Sequence, residues 1–406
     1  MKLMRKTAVL LLAFLMAAEA GCTATTDGET PSGAVPSSEN MVQTGQSEAT
    51  EEAVGADSFE ESKYRFEALK KAGAVKILGR TEFLNDRLTM DWSGSGVVFR
   101  VRTAGETMTI EYESSYAMYY SVEVDGVETA REHTEGKGFL RIPLKAGEHT
   151  VSVVKDTEIS IKDKSYSYLN YVRFGGDFLK APDEKPYLIE VIGDSIACGD
   201  GALGVFTPGV NYALSEHSAK ASFGVVAANE LGADYSLVTR GGIGLLKARD
   251  ELNRRMIDIY EYASPYNNRE NPYDFSARFP NLVILELGTN DGEYTAEEWV
   301  PALDEMVKMI RSHNGVIPIL WVGKSTRWYE EVQKYISDND VIDMYAMQYS
   351  YGTSGSGSPA TATAGHPNAA EQYEMGTAVA EFIRKNKLLE PRACFLDPET
   401  ETPKAE

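Results

Sequence analysis

Cysteine is scarce in this 406-residue chain. Cys22, Cys198 and Cys394 are too few for a disulfide framework, and no Cys-x-x-Cys or Cys/His cluster points to a structural zinc. Positive charge is also short, with 40 Lys+Arg against 61 Asp+Glu and a formal net charge of −21. That imbalance repels polyphosphates at long range and argues against nucleic acid or an anionic membrane surface as the main partner. A neutral carbohydrate meets no such penalty. The N-terminal apolar run, Ala8 to Ala18, has 11 residues and is too short to cross a bilayer as a mature helix. What is present, 43% hydrophobic, 10% aromatic and 25% charged residues, is the balance of a globular protein of one large or two ordinary domains.

Lys2, Arg5 and Lys6 precede that apolar run in the order of an export signal. Two processing readings follow. Ala18-Glu19-Ala20 fits a small-x-small cleavage site that releases a soluble protein. Ala20-Gly21-Cys22 resembles the end of a bacterial lipobox, with Cys22 as the lipidated residue, although Glu19 stands where an aliphatic residue is usual. From Thr23 to Glu61 there are nine acidic residues and no Lys or Arg. Such a segment buries too little apolar surface to offset chain entropy and reads as a solvated tether, useful when one end is fixed. The expectation is therefore a lipoprotein-type signal over 1–22, an acidic Ser/Thr-rich tether over 23–62, and a cell-surface location, or else secretion.

Between Val75 and Phe174 apolar residues alternate in short runs: Val97 to Val101, Met108 to Tyr112, Tyr120 to Val124 and His149 to Val154. Ala104-Gly105, Asp125-Gly126 and Ala146-Gly147 supply turns between them. This pattern predicts an all-β sandwich or jelly roll over 63–180. After Pro182 and Pro186 the period changes. Leu188 to Ile192, Leu282 to Leu287, Val316 to Val322 and Val341 to Met347 read as strands, as does Tyr235 to Val238. Trp299, Leu303, Met306, Val307 and Ile310 fall on one helical face before Gly315, and Met375, Val379, Phe382 and Ile383 repeat that spacing. Strands alternating with helices predict a parallel sheet covered on both faces over 181–392, with a flexible tail over 393–406.

In open α/β sheets, sites form at the carboxyl ends of strands. There stand Gly193-Asp194-Ser195 and, after a later strand, Gly288-Thr289-Asn290-Asp291. Gly365-His366-Pro367-Asn368 comes just before the last helix. A serine hydroxyl needs an adjacent base to be nucleophilic near neutral pH, and a histidine suits that role and the return of the proton. Position 197 is Ala197, so the second glycine of a G-x-S-x-G elbow is missing and the chain is not an ordinary α/β-hydrolase.

These blocks resemble the SGNH (GDSL-type) hydrolase superfamily. With the preceding β domain they resemble carbohydrate esterase family 2 in particular, over roughly Val75 to Lys387. Ile77-Leu78-Gly79-Arg80, Asp91-Trp92-Ser93-Gly94, Gly147-Glu148-His149-Thr150-Val151 and Tyr273-Asp274-Phe275 support the likeness. The resemblance implies a jelly roll followed by a flavodoxin-like three-layer α/β domain, with Ser195 as nucleophile and His366 as base. It implies an oxyanion hole of the Ser195 N–H, a glycine N–H from Arg240-Gly241-Gly242-Ile243-Gly244, aligned best at Gly242, and the Asn290 side chain. The family's acid, three residues before the histidine, is replaced by Thr363. No acidic residue occurs from Tyr345 to His366, which leaves a Ser-His dyad or a substitute such as Asp343. Asp194 is expected to fix the turn, and Cys198 to pack. Trp92, Trp321 and Trp328 are either core or sugar platforms.

The implied activity is removal of O-acetyl groups from polysaccharides such as xylan or mannan through an acyl-enzyme. No metal or organic cofactor is called for. The expected partner is acetylated carbohydrate, with a membrane contacted only through the lipid anchor and the chain monomeric. The rival readings are an acylhydrolase acting on lipid or envelope glycans, and an inactive carbohydrate-binding surface protein.

Overall fold

A computed structural model describes residues 63–205, 213–250, 252–270, 272–349 and 365–389. Cys22, the tether, Thr363, Cys394 and the tail expected over 393–406 lie outside them. All described residues belong to one compact unit.

The first part is a ten-stranded, wholly antiparallel sheet. Its main strands are Gly96–Thr103, Thr107–Val124, Val127–Pro143, Gly147–Lys155 and Ser167–Arg173. The expected turns at Ala104-Gly105, Asp125-Gly126 and Ala146-Gly147 all join strands, and Gly105, Asp125, Gly126 and Gly147 take the positive φ such turns need. Two expected short strands, Met108 to Tyr112 and Tyr120 to Val124, are one strand of 18 residues. Register shifts between Ser114 and Met118 and between Val122 and Glu123 let it bend without ending. Inward residues Val97, Phe99, Val101, Met108, Ile110, Leu140, Val151, Val153 and Val172 form this part's core.

The second part is a five-stranded parallel sheet: β1 (Leu188–Gly193), β2 (Asp234–Thr239), β3 (Leu282–Glu286), β4 (Ile319–Gly323) and β5 (Met344–Gln348). Its spatial order is β2-β1-β3-β4-β5, so the chain reverses direction of travel between β1 and β3. That is the switch point where doubly wound folds place their sites. Five helices matter to the site: α1 (Ser195–Cys198), α2 (Phe223–Glu230), α3 (Ala296–Asn314), α4 (Thr326–Asp338) and α5 (Ala369–Lys385). Ile189, Val191, Ile284 and Leu320 pack with α2 and α5 residues in one apolar cluster. Val283, Leu285, Ile319 and Trp321 pack with Trp299, Met306 and Trp328 in another. Strands buried on both faces explain why their sequences read as continuous apolar runs. β4 begins at Ile319 rather than Val316, because Pro318 has no N–H for the ladder.

Candidate active site

Ser195 is the first residue of α1, directly past β1. Asp194 caps that helix: its Oδ1 accepts the Ile196 N–H at 3.0 Å, and its carbonyl accepts the Cys198 N–H at 3.0 Å. Gly199 ends the helix at φ 76°, where a Cβ would lie 2.0 Å from the Ser218 carbonyl oxygen. Four residues make a poor helix by themselves. The caps and the β1 register hold it, and they present Ser195 at 9% exposure.

His366 precedes the α5 N-cap, Asn368, whose side chain accepts the Glu371 N–H while Glu371 bonds back to the Asn368 N–H. The Ala369 N–H donates to the Ala202 carbonyl at 2.8 Å, fixing the start of α5 against the loop after α1. Gln372 completes the link. Its Nε2 donates to the Ile196 carbonyl at 2.9 Å and its Oε1 accepts the Phe223 N–H at 2.8 Å. As a result, His366 Nε2 sits 2.8 Å from Ser195 Oγ across 171 residues of chain. This is the nucleophile-to-base distance acyl transfer requires.

Asn290 lies in the turn after β3, with its Nδ2 3.2 Å from Asp194 Oδ2 and 2.8 Å from the Ile243 carbonyl. Three distant segments therefore meet at one carboxamide, and both of its hydrogens face protein acceptors. Gly242 adopts φ 69° in the turn after β2. The neighbouring Gly241 N–H donates to Glu158 at 2.7 Å, whereas among the described residues the Gly242 N–H has no protein acceptor. Asp291 braces this loop. It accepts the N–H groups of Leu245 (2.8 Å) and Leu246 (3.2 Å) and the Trp299 indole N–H (3.2 Å). A Cβ on Gly244 would come within 2.2 Å of its carboxylate, so only glycine fits there.

The structure brings Ser195, His366, Asn290 and Gly242 together at the carboxyl end of the sheet. It does not bring Asp343 there. Asp343 immediately precedes β5, at φ 53°, and its carbonyl accepts the Ile319 N–H at the start of β4. It thus stands at the amino end of the sheet, about five residues or ~16 Å of strand from the other edge. Trp92, Trp321 and Trp328 are at most 2% exposed and belong to the core, leaving them no face for sugar. Burial raises the Cys198 thiol well above its ordinary range, consistent with packing.

Among the described residues one group approaches metal-ligand spacing: Glu158, Cys198 and Asp200. Glu158 already accepts the Gly241 N–H and Asp200 pairs with His217 at 2.8 Å, so the group reads as polar packing beneath the site. Residues the sequence did not single out, Gln372 and Glu286, prove to hold the segments in place. Neither sits in a recognisable motif, and their only signal is a polar residue at an otherwise apolar position of a helix or strand.

Residues 77–182 match the family model for the carbohydrate esterase 2 N-terminal domain. An acetylxylan esterase / glucomannan deacetylase of Cellvibrio japonicus is 26% identical over 232 residues, 53% of this chain and 61% of that one. The cellulase/esterase CelE of Acetivibrio thermocellus is 29% identical over 209 residues, 49% of this chain and 24% of that one. The chain thus spans less than two thirds of the length of either relative. A family two carbohydrate esterase from Clostridium thermocellum, solved with cellohexaose, has the same fold at a TM-score of 0.70 and 22% identity, covering 77% of this chain and 99% of that one. An acetyl xylan esterase from the rumen bacterium Butyrivibrio proteoclasticus gives 0.67 at 21% identity, covering 77% and 95%. These matches bear out the resemblance to carbohydrate esterase family 2.

Proposed function

We propose that this relative of carbohydrate esterase family 2 is an exported serine esterase that removes O-acetyl groups from polysaccharides. The observation that carries the reading is the 2.8 Å contact between His366 Nε2 and Ser195 Oγ at the sheet's switch point. Ser195 Oγ attacks the acetyl carbonyl while His366 takes its proton. The resulting oxyanion is met by the N–H groups of Ser195 and Gly242 and by Asn290, whose longer contact, to Asp194, yields to it. Collapse breaks the bond to the sugar oxygen, which leaves with the proton from His366. Water, deprotonated by His366, then attacks the acetyl-serine, and acetate departs as Ser195 regains its proton.

The jelly-roll and three-layer descriptions, a Ser-His dyad, and xylan or mannan as substrate rest on the same likeness. So does a lipid anchor at Cys22, which metabolic labelling with an alkyne fatty acid tests by comparing the chain with Cys22→Ala. The activity itself is tested by acetate release from acetylated xylan, mannan and cellulose, with para-nitrophenyl acetate as control and an acyl chain-length series alongside. Acetate release with preference for the two-carbon acyl group supports the reading. Preference for long chains would replace it with a lipid acylhydrolase, and silence on every ester with a binding protein.

A further inference from the structure

Behind the nucleophile lies a second carboxyl that the esterase chemistry does not use. Glu286, the last residue of β3, is 1% exposed, and Asp194 beside it is fully buried. The Asp194 N–H faces both the Glu286 carbonyl (3.2 Å) and its Oε2 (3.3 Å), which sets the two buried carboxyls against each other. The Tyr349 hydroxyl donates to Glu286 Oε1 at 3.1 Å. Asp194 accepts the Ile196 N–H and one hydrogen of the Asn290 carboxamide. Among the described residues neither carboxyl has a Lys or Arg ion-pair partner. The ionisable groups facing the pair are the Cys198 thiol on α1, Asp200 from the loop after α1, Tyr349 after β5, and His366 through Ser195.

Two carboxyls in contact in a dry site cannot both be ionised without a large repulsion, and a direct carboxyl–carboxyl hydrogen bond requires a proton. Asp194 faces two N–H donors that cannot accept a proton, whereas one of the two partners of Glu286, the Tyr349 hydroxyl, can accept as well as donate. This marks Asp194 as the charged member and Glu286 as the one that carries the proton. Burial raises the proton affinity of both groups, and the charge of Asp194 raises that of Glu286 further.

We propose that Glu286 is a positioning residue: it shares one proton with Asp194, so that a single carboxylate caps the Ser195 helix and aims the Asn290 carboxamide. The consequence is electrostatic as well as geometric. Asp194 competes with the oxyanion for one hydrogen of Asn290. With its charge partly neutralised by the Glu286 proton it releases that hydrogen readily; with both carboxyls ionised it would hold it, and a second negative charge would stand beneath a developing oxyanion. The kinetic part of this inference rests on the esterase reading; the shared proton does not.

Two measurements on the full chain test it. Infrared difference spectra between the native protein and Glu286→Gln at neutral pH should show a protonated carboxyl C=O stretch lost in the variant. Should that variant fail to fold, carboxyl ¹³C NMR titration of the native protein, with Glu286 and Glu158 assigned separately, reads the same proton as a Glu286 signal that ionises well above its ordinary range. In kinetics with para-nitrophenyl acetate, the native enzyme should show an alkaline fall in kcat, and Glu286→Gln, whose amide can still donate to Asp194, should keep most of the neutral-pH kcat and lose that fall. Glu286→Ala lowers kcat about tenfold with KM little changed, a fraction of the 10²–10³ that loss of an oxyanion donor costs. A native spectrum with no protonated carboxyl, or a Gln variant with the native alkaline limb, overturns the proposal. A native protein without esterase activity but with the protonated carboxyl would sink the esterase reading and leave the shared proton standing.

Discussion

A hydroxyl 2.8 Å from an imidazole acts through very few atoms, so single-atom changes should separate chemistry from folding. Ser195→Ala and His366→Ala are each expected to abolish acetate release while circular dichroism and the thermal midpoint stay near native. Retained turnover in purified Ser195→Ala protein would remove the nucleophile assignment. Asn290→Ala should lower kcat by about 10²–10³ with a small change in KM, the cost of an oxyanion donor. If KM rises and kcat holds, Asn290 binds ground-state substrate instead. Ser195, His366 and Asn290 were legible because each sits in a short motif at a strand end or before a helix. Gln372 and Glu286 were not. Their roles consist of the partners they meet, Ile196 and Phe223 for one and Asp194 for the other, and those partners lie far away in sequence.

Elements were legible wherever one face is apolar at a regular period. α3 and α5 match their expected faces, and the parallel strands match their apolar runs. The long hairpin of Thr107–Val124 and Val127–Pro143 was read as shorter pieces, since a bulge breaks the alternation without breaking the strand. α4 was missed although Trp328, Val332 and Tyr335 keep the helical spacing, because its inward face rests on only these three positions in a short, largely polar segment. Trp328 stacks on Trp299 with ring centroids 4.4 Å apart, and its indole N–H reaches the Gly288 carbonyl at 3.0 Å, at the head of the Asn290 turn. Trp328→Ala should therefore cost about 3–5 kcal/mol in denaturant unfolding and lower activity by loosening that turn. Gly199→Ala should destabilise at least as strongly as a strained turn substitution, because the positive φ is coupled to a Cβ clash with the Ser218 backbone. A Gly199→Ala protein with native stability would show that the α1 cap is free to relax.

At the scale of the molecule, the sequence motifs of the β part turn out to fasten it to the parallel sheet. Arg80 is fully buried, pairs with both oxygens of Glu190 on β1 at 2.9–3.0 Å, and lies over the Tyr260 ring at 4.3 Å. The Trp92 indole N–H donates to the Tyr262 carbonyl at 2.9 Å, and Ser93 bonds Thr239 at 2.8 Å. Arg80→Met strands a buried carboxylate and should cost about 3–5 kcal/mol, whereas Arg80→Met with Glu190→Met should cost less than the sum of the single changes. Additive losses would mean the two side chains act independently. Glu158 gives the junction a pH dependence. Burial, and after it the charge of Asp200, pushes its carboxyl up to about 7 from an ordinary 4.5. A carboxyl with a raised folded pKa contributes stability that is full below its unfolded pKa and is lost as pH rises through the folded one, here between about pH 4.5 and 7. Glu158→Gln should thus gain thermal stability over the native protein progressively from about pH 5 to about pH 8, and a pH-independent difference would refute the shift.

By itself the sequence determined the two kinds of sheet, the turns that join the antiparallel strands, and the three motifs that the fold brings together. Each of these is written in local periods of two or 3.6 residues or in contiguous blocks. Only the tertiary structure decided which side chains meet in a cap or a carboxyl pair, that Asp343 stands at the far edge of the sheet, and that the tryptophans are core. Those outcomes depend on strand order and register, which bring together residues such as Ser195 and His366, 171 positions apart, and which no local pattern encodes.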